Sequence, residues 1–559
     1  MATILLYLVL LVALTPPLGA YMYRVYTHEG IGRVEGAVYR LIGVRPTVEQ
    51  SWRRYASCVL WFSAIGMVLV YTVLRLQAHL PLNPAGLPGV RDSVAFNTAA
   101  SFTTNTNWQA YAGETTMSYL SQMLALTFQN FVSAAVGMAV MVAMIRGFVR
   151  SDTEQVGNFW RDLVRGTVYI LLPLSAILAV ALVSQGVVQT LLGAESVRGI
   201  QGFVQVLARG PAASQIAIKQ LGTNGGGFFN VNSAHPFEDP GPLAGFLETL
   251  AILAIPAGLT YTFGRMIGSP RQGWALFAAM FIMLTIALAV TVPAERHSTE
   301  AMQAAGVAAS APNLEGKELR NGTDSSSLWA VATTAASNGS VNSMHDSYTP
   351  IGGAVPIFLM SIGEVAFGGV GSGLYGMLFY VVIAVFIGGL MVGRTPEYLG
   401  KKIRAREVKL ALIAVLVPFL LVLGLTAVAV VTRSGLDARL NGGPHGFSEI
   451  LYAFDSMANN NGSAFAGLTA SGPFYAIAGG LAMLFGRFVP LLAALALGGG
   501  LARERTVPFT AGTLRTDTGL FVGLLVGVIV IVSALTFLPA VALGPIVEHL
   551  LQSTGRLFG

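Results

Sequence analysis

The chain has a single cysteine, Cys58, among 559 residues. One thiol builds neither a disulfide nor a cysteine-based metal site, so redox chemistry is disfavoured. Charge is equally scarce: Asp, Glu, Lys and Arg supply 11% of the residues, against roughly 25% in soluble domains. Neither a Gly-x-x-x-x-Gly-Lys-[Ser/Thr] phosphate loop nor the Asp-Lys-Thr-Gly-Thr phosphorylation motif occurs, and Thr516-Asp517-Thr518-Gly519 only echoes the latter. The chain is therefore not expected to hydrolyse ATP. The longest stretch between apolar runs, residues 294 to 350, is rich in Ala, Ser, Asn and Gly and too short for a soluble catalytic domain. His235, His297 and His345 lie outside the runs with no metal-ligand spacing and read as solvated or mouth-lining. No carboxylate pair or nucleophile and base suits an intramembrane hydrolase.

What is abundant is apolar sequence: 54% of the residues are hydrophobic and the mean hydropathy is +0.65. Runs long enough for a hydrocarbon core of roughly 30 Å recur near 3–22, 57–76, 122–145, 167–192, 244–267, 273–293, 354–393, 409–432, 473–502 and 518–545. These are about ten spans of an all-α polytopic membrane protein. The first run lacks a basic n-region and is followed by Arg24, Arg33, Arg40, Arg45, Arg53 and Arg54, so it reads as a retained helix with its N-terminus outside. Alternation then puts Arg146, Arg150, Arg161 and Arg165, then Arg394 to Lys409, then Arg503, Arg505 and Arg515, on the cytoplasmic side. The net charge of +6 follows from these short loops, and no nucleic-acid partner is expected.

Four polar segments interrupt the oil: Thr103-Thr104-Asn105-Thr106-Asn107, Thr223-Asn224-Gly225-Gly226-Gly227, Ser337-Asn338-Gly339-Ser340 and Asn459-Asn460-Asn461-Gly462-Ser463. Each follows a short, mostly apolar run opened by a helix-start signal at Asp92-Ser93, Pro211, Asp324-Ser325 and Ser448-Glu449. Such runs are too short to span and read as re-entrant half-helices. If Asn105, Gly225, Gly339 and Gly462 are superposed, the two preceding positions are Thr103-Thr104, Thr223-Asn224, Ser337-Asn338 and Asn460-Asn461, all small and polar. The unit is thus span, half-helix, polar turn, span, repeated four times in pseudo-fourfold arrangement. The expected division is 57–145, 167–267, 273–393 and 409–502, with an extra helix and cytoplasmic loop at 1–56 and an extra helix at 518–545. Polar turns survive at membrane depth only when packed in protein or lining a cavity. Half-helix C-termini and backbone carbonyls converging on one axis suit a dehydrated cation.

The strings Gln220-Leu221-Gly222-Thr223-Asn224-Gly225-Gly226-Gly227-Phe228-Phe229-Asn230, Asn459-Asn460-Asn461-Gly462-Ser463-Ala464-Phe465 and Gly393-Arg394-Thr395-Pro396-Glu397-Tyr398-Leu399-Gly400-Lys401-Lys402 closely resemble the potassium-binding A subunits of bacterial Kdp potassium-transporting ATPases. The resemblance spans nearly the whole chain. It implies a channel-like subunit of the superfamily of potassium transporters in the bacterial inner membrane, partnered with a P-type ATPase catalytic subunit and two small membrane subunits. Potassium would be its transported ion, with no organic cofactor. By that similarity Thr104, Asn105 and Thr106 lie at the potassium site with Gly225, Gly339 and Gly462, alongside Thr223, Asn224, Ser337, Asn338 and Asn461 of the same segments. Gln109 either supports the filter from outside or is a surface amide at the mouth. A self-sufficient potassium channel or carrier with the same pore is the main rival reading.

Run 354–393 is about forty residues long where one crossing suffices, so it must be broken. The break is expected at Gly368-Gly369-Val370-Gly371-Ser372-Gly373, a gate or barrier loop in the resembling family. Glu364, just before it, and Arg487, inside the ninth run, each cost roughly 2.5–3.5 kcal/mol at a helix centre, so pairing or a pathway role is expected. The resemblance implies that potassium leaves sideways toward the ATPase subunit, with Arg487 barring straight passage.

Overall fold

The computed structural model describes residues 1–391, 393, 395–508 and 513–554; Arg394 lies outside the described residues. Among the described residues, ten helices are long and apolar enough to cross a membrane. In chain order the principal helices are α1 (Ala2–Thr27), α2 (Trp52–Leu76), α3 (Asp92–Thr103), α4 (Ser121–Val149), α5 (Phe159–Ser184), α6 (Ala212–Leu221), α7 (Pro242–Met266) and α8 (Pro270–Glu295). They continue with α9 (Gly322–Ala335), α10 (Pro350–Ser361), α11 (Ser372–Met391), α12 (Ala405–Val431), α13 (Gly443–Asn459), α14 (Pro473–Arg503), α15 (Gly519–Val541) and α16 (Val547–Ser553). Among the described residues there are three two-stranded antiparallel sheets, two of them hairpins and the third pairing Gln50–Ser51 with Gln155–Gly157.

Helices α3, α6, α9 and α13 are the half-helices. The third begins at Gly322, two residues before the sequence signal, and the fourth at Gly443, five before Ser448, because Pro444 occupies its first turn and its fixed φ suits a helix start. The long run 354–393 is broken as expected, but earlier and over a longer stretch. Helix α10 ends at Ser361 and α11 starts at Ser372, so Glu364 lies within the break and Gly373 within the second helix.

Helix α4 is almost wholly buried at the centre. Its contact with α14 needs small residues: a methyl group on Gly147 would strike the backbone of Gly498. Gly19 of α1 meets the Gly258 carbonyl of α7 in the same way. In lipid, where burial between helices brings no hydrophobic gain, close backbone approach supplies the dispersion that holds spans together.

The basic loops gather at the end opposite the polar turns. Lys401 Nζ donates to the carbonyls of Arg150 at 2.7 Å and Glu504 at 2.6 Å, Arg150 pairs with Glu49 at 2.6 Å, and Arg505 with Asp152 at 3.2 Å. At the same end Arg165 Nε reaches Glu35 Oε2 at 3.1 Å, with side chains only 2% and 1% exposed. Removing one partner leaves the other buried and unpaired. Arg165→Met is expected to lower the stability of the protein by about 3–5 kcal/mol, and Arg165→Met/Glu35→Gln to recover much of it, in thermal unfolding of the purified protein.

Candidate functional site

The four polar turns meet, and their backbones are superposable. The amide of Thr106 donates to Ser101 O at 2.9 Å, Asn224 to Lys219 O at 2.8 Å, Asn338 to Thr333 O at 3.0 Å and Asn461 to Ser456 O at 2.8 Å, each spanning five residues. Paired left-handed residues flank each of these: Asn105 and Asn107, Thr223 and Gly225, Ser337 and Gly339, Asn460 and Gly462. This register corrects the sequence alignment. Asn107, not Asn105, stands level with the three glycines, and Asn105 is level with Thr223, Ser337 and Asn460. Sequence reasoning was misled because Asn and Gly both tolerate positive φ, so two asparagines two residues apart offered equal matches.

The turns close a ring. Asn107 Nδ2 reaches Gly225 O at 3.3 Å. A methyl group on Gly225 would run into the Asn338 carbonyl, one on Gly339 into that of Asn461, and one on Gly462 into that of Thr106. With φ of 74°, 86° and 97° as well, these three positions require glycine on two independent grounds. Side chains bolt neighbouring turns together: Asn105 Nδ2 to Thr223 O at 3.0 Å, Ser337 Oγ to Asn460 O at 2.9 Å, and Asn460 Nδ2 to Thr106 Oγ1 at 2.9 Å. The amides of Asn338 and Asn461 point away to the neighbouring half-helix, at Lys219 O and Thr333 O, both 3.0 Å. Asn224 Nδ2 bonds Asn105 Oδ1 instead. Thr104 caps α3 through Ala100 O at 2.9 Å and meets Thr106 Oγ1 at 2.7 Å, one residue before the ring.

Gln109 pairs reciprocally with Gly227, its Nε2 donating to the carbonyl and its Oε1 accepting from the amide, both at 2.8 Å. It is not a free surface amide. Asn130 and Ser133 of α4 were missed. Asn107 Nδ2 donates to Asn130 Oδ1 and Ser133 Oγ to Asn105 Oδ1, both at 2.7 Å. The available signal was their polarity inside the apolar run 122–145. Above the ring lies a vestibule of about 600 Å³, lined in part by Gln109, Gly226, Lys317, Glu318, Gly339 and Gly462.

Directly against the opposite face of the ring is the loop between α10 and α11. Val370 N donates to Thr223 Oγ1 at 2.8 Å and Gly368 N to Ala335 O at 2.8 Å. Gly369 sits beside Ser337 and Thr223, and Gly371 abuts the backbone of Gly137 in α4. A cavity of about 80 Å³ on this side is lined by Ser337, Glu364, Gly369, Gly373, Asn460 and Arg487 among others. Glu364 and Arg487 are 3% and 6% exposed, and no ion pair joins them among the described residues. Glu364 Oε1 and Arg487 Nη2 have no hydrogen-bond partner in the protein. They share a cavity rather than a bond.

His297 is exposed and His235 half-buried, but His345 departs from the sequence reading. His345 is 1% exposed and bonds Tyr452 at 2.8 Å; burial, and then Lys317, push it down to about 3, so it is neutral. His445, at the outer end of α13, bridges Asp346 and Glu548, each at 2.9 Å. Asp346, His445 and Glu449 lie within 4.8 Å of one another, but both ring nitrogens of His445 are spent on carboxylates, the pattern of an imidazolium bridge.

A single-chain, helical membrane pore of four re-entrant repeats is the class these features define. The chain matches the sequence model of the potassium-transporting ATPase A subunit over residues 5–550. It is 59% identical to the potassium-transporting ATPase potassium-binding subunit of Sorangium cellulosum, covering 98% of both chains. The corresponding subunit of Granulibacter bethesdensis is 55% identical over 100% of this chain and 99% of its own. The fold is similar to that of the potassium transporter TrkH from Vibrio parahaemolyticus, with a TM-score of 0.52 and 14% identity over 87% of this chain and 95% of that one. The chain belongs to the potassium-transporting ATPase A subunit family.

Burial pulls the His445 imidazole down, but Asp346 and Glu548 outweigh it and hold it up at about 10. A raised folded value adds stability that is complete below the unfolded value near 6.5 and fades as pH rises through the folded one. His445→Gln is therefore expected to melt below the parent protein at pH 6, with the gap shrinking between about pH 7 and pH 10. Melting curves across that range check it; a constant gap would show that the bridge is uncharged.

Proposed function

We propose that this chain is the ion-selecting subunit of an ATP-driven, high-affinity potassium uptake pump, and that the ring of four turns is its filter. The observation that carries the reading is the closed ring itself: four backbones of one register, each tightly packed against its neighbour's carbonyl. Potassium from outside enters the vestibule, sheds water, and is held by oxygens of Thr106, Asn224, Asn338 and Asn461 and the residues flanking them. Thr104, Asn105, Thr223, Ser337, Asn460, Gln109, Asn130 and Ser133 hold that ring in shape, and Gly225, Gly339 and Gly462 allow it to close. Carbonyl dipoles and the negative ends of four half-helices favour a cation and exclude anions.

Below the ring, the loop carrying Gly368, Gly369 and Gly371 blocks the axis, with Gly373 allowing the close approach of α11. The cavity containing Glu364 offers the ion a way to the side, and the fixed charge of Arg487 discourages a straight descent. Lacking any phosphate-handling motif, the chain takes its energy from a P-type ATPase catalytic subunit, assembled with two small membrane subunits in the bacterial inner membrane. The four repeats are 57–145, 167–267, 273–393 and 409–502, with the first and last helices outside them.

The test is ATPase activity of the purified native complex, titrated with potassium against sodium. Stimulation by potassium at concentrations where sodium is inert is the expected outcome; equal responses to both ions would end the reading. In Gly225→Asp the added side chain collides with the third turn, and the potassium KM is expected to rise by about tenfold or more, as from a loss of about 1.4 kcal/mol of binding. An unchanged KM and ion preference in an assembled Gly225→Asp complex would remove Gly225 from the filter.

A further inference from the structure

The residue whose carbonyl receives the turn's amide, five positions on, is a hydroxyl residue in three repeats: Ser101, Thr333 and Ser456. Each hydroxyl serves its own turn. Ser101 Oγ donates to Trp108 O at 3.0 Å, Thr333 Oγ1 to Asn338 Oδ1 at 3.3 Å, and Ser456 Oγ accepts from Gly462 N at 3.0 Å. In the second repeat the position holds Lys219, which is 1% exposed.

A lysine there is costly, because desolvating an ammonium and its counter-ion offsets much of their attraction. Its reach is what a hydroxyl lacks. Lys219 Nζ donates to Glu238, to Asn232 Oδ1 at 2.8 Å and to Ser233 Oγ at 3.0 Å, so all three donors are used. Glu238 is fully buried and takes the Phe229 amide at 2.9 Å through its other oxygen. The pair thus clasps the base of the second turn to the segment that leaves it.

The same residue joins two turns. Its carbonyl accepts Asn224 N at 2.8 Å and Gly225 N at 3.3 Å from its own repeat, and Asn338 Nδ2 at 3.0 Å from the third. Its neighbour Gln220 completes a closed circuit: Nε2 donates to Glu248 Oε2 at 2.7 Å, Oε1 accepts from Ser340 Oγ at 2.8 Å, and the Ser340 backbone amide donates to Asn338 Oδ1 at 2.9 Å. Ser233 Oγ donates to that same Glu248 oxygen at 3.0 Å. Displacement of the lysine would therefore move the second and third turns together.

We propose that Lys219 and Glu238 are a positioning pair that sets the spacing of the second and third turns, and through it the discrimination between potassium and the larger rubidium ion. The inference rests on the filter reading above. Neither side chain touches the ion. Because the pair is neutral as a whole, it fixes geometry without adding net charge beside a cation site, and its two charges can be separated experimentally.

Glu238→Gln leaves an unpaired ammonium near the ring, so KM for potassium and for rubidium should rise together, with their ratio little changed. Lys219→Met/Glu238→Gln restores neutrality but removes the clasp; assembly and melting temperature should return toward the parent's while the rubidium-to-potassium KM ratio falls by about tenfold, the size that couplings in such networks reach. Glu238→Asp keeps the charge and shortens the clasp by one methylene, and it should shift the ratio in a complex that still assembles. KM and maximal rate are read from ATPase activity of the whole complex with each ion. A parent complex stimulated by potassium, beside a double variant or Glu238→Asp with the parent's ratio, would overturn the inference alone. A parent complex indifferent to potassium would overturn the filter reading instead.

Discussion

Every backbone amide and carbonyl placed at membrane depth needs a partner, because hydrocarbon supplies none. A helix meets this demand alone; a turn does not. Four turns at one depth can meet it together, and the ring is the arrangement in which they do. Asn338 satisfies Lys219 O, Asn461 satisfies Thr333 O, Asn105 satisfies Thr223 O, and Ser337 satisfies Asn460 O, each across a repeat boundary. No turn is complete without its neighbour, so the ring forms as one unit.

The same bonding decides which backbone groups of the turns are already spent. Amides of Thr106, Asn224, Asn338 and Asn461 are consumed by their own half-helices. The carbonyls of Thr106, Asn338 and Asn461 instead lie where the preceding repeat's glycine leaves room. With those amides spent and the carbonyls packed around it, the ring has, on the filter reading proposed above, a chemistry that suits a bare cation better than an anion. On that reading, selection of a cation is a consequence of how the turns solve their own hydrogen-bonding problem.

Much of this could be read in the residues. Ten apolar runs, four half-helices and the forced break near residue 368 follow from hydropathy, helix-start residues and span length, which are local properties. Register was not local. Choosing between Asn105 and Asn107 required the five-residue hydrogen bond behind each turn, and composition is silent on it. Glu364 was placed beside the break rather than in it, because Gly363 and a left-handed glutamate, φ 52°, end the helix before the glycine-rich stretch begins. The burial of His345 and the bridge at His445 depend on loops of different repeats meeting at the mouth, and only tertiary packing brings those together.

A pore made of four identical chains must leave along its axis, since nothing distinguishes one side from another. One chain with four repeats escapes that restriction. At the ring the four turns keep one register, and on the proposed filter reading an ion surrounded by oxygens gains from that symmetry. Below it, equivalence is abandoned: only the third repeat has its second span split into α10 and α11, and the loop between them is anchored to Thr223 of the second. Arg487 comes from the fourth repeat and faces the same cavity as Glu364 of the third. Beside the ring, Lys219 replaces a hydroxyl in the second repeat alone, and Asn107 replaces glycine in the first. On the proposed reading, the symmetric part of the molecule is the part suited to bind an ion, and the asymmetric part is what would send it in one direction.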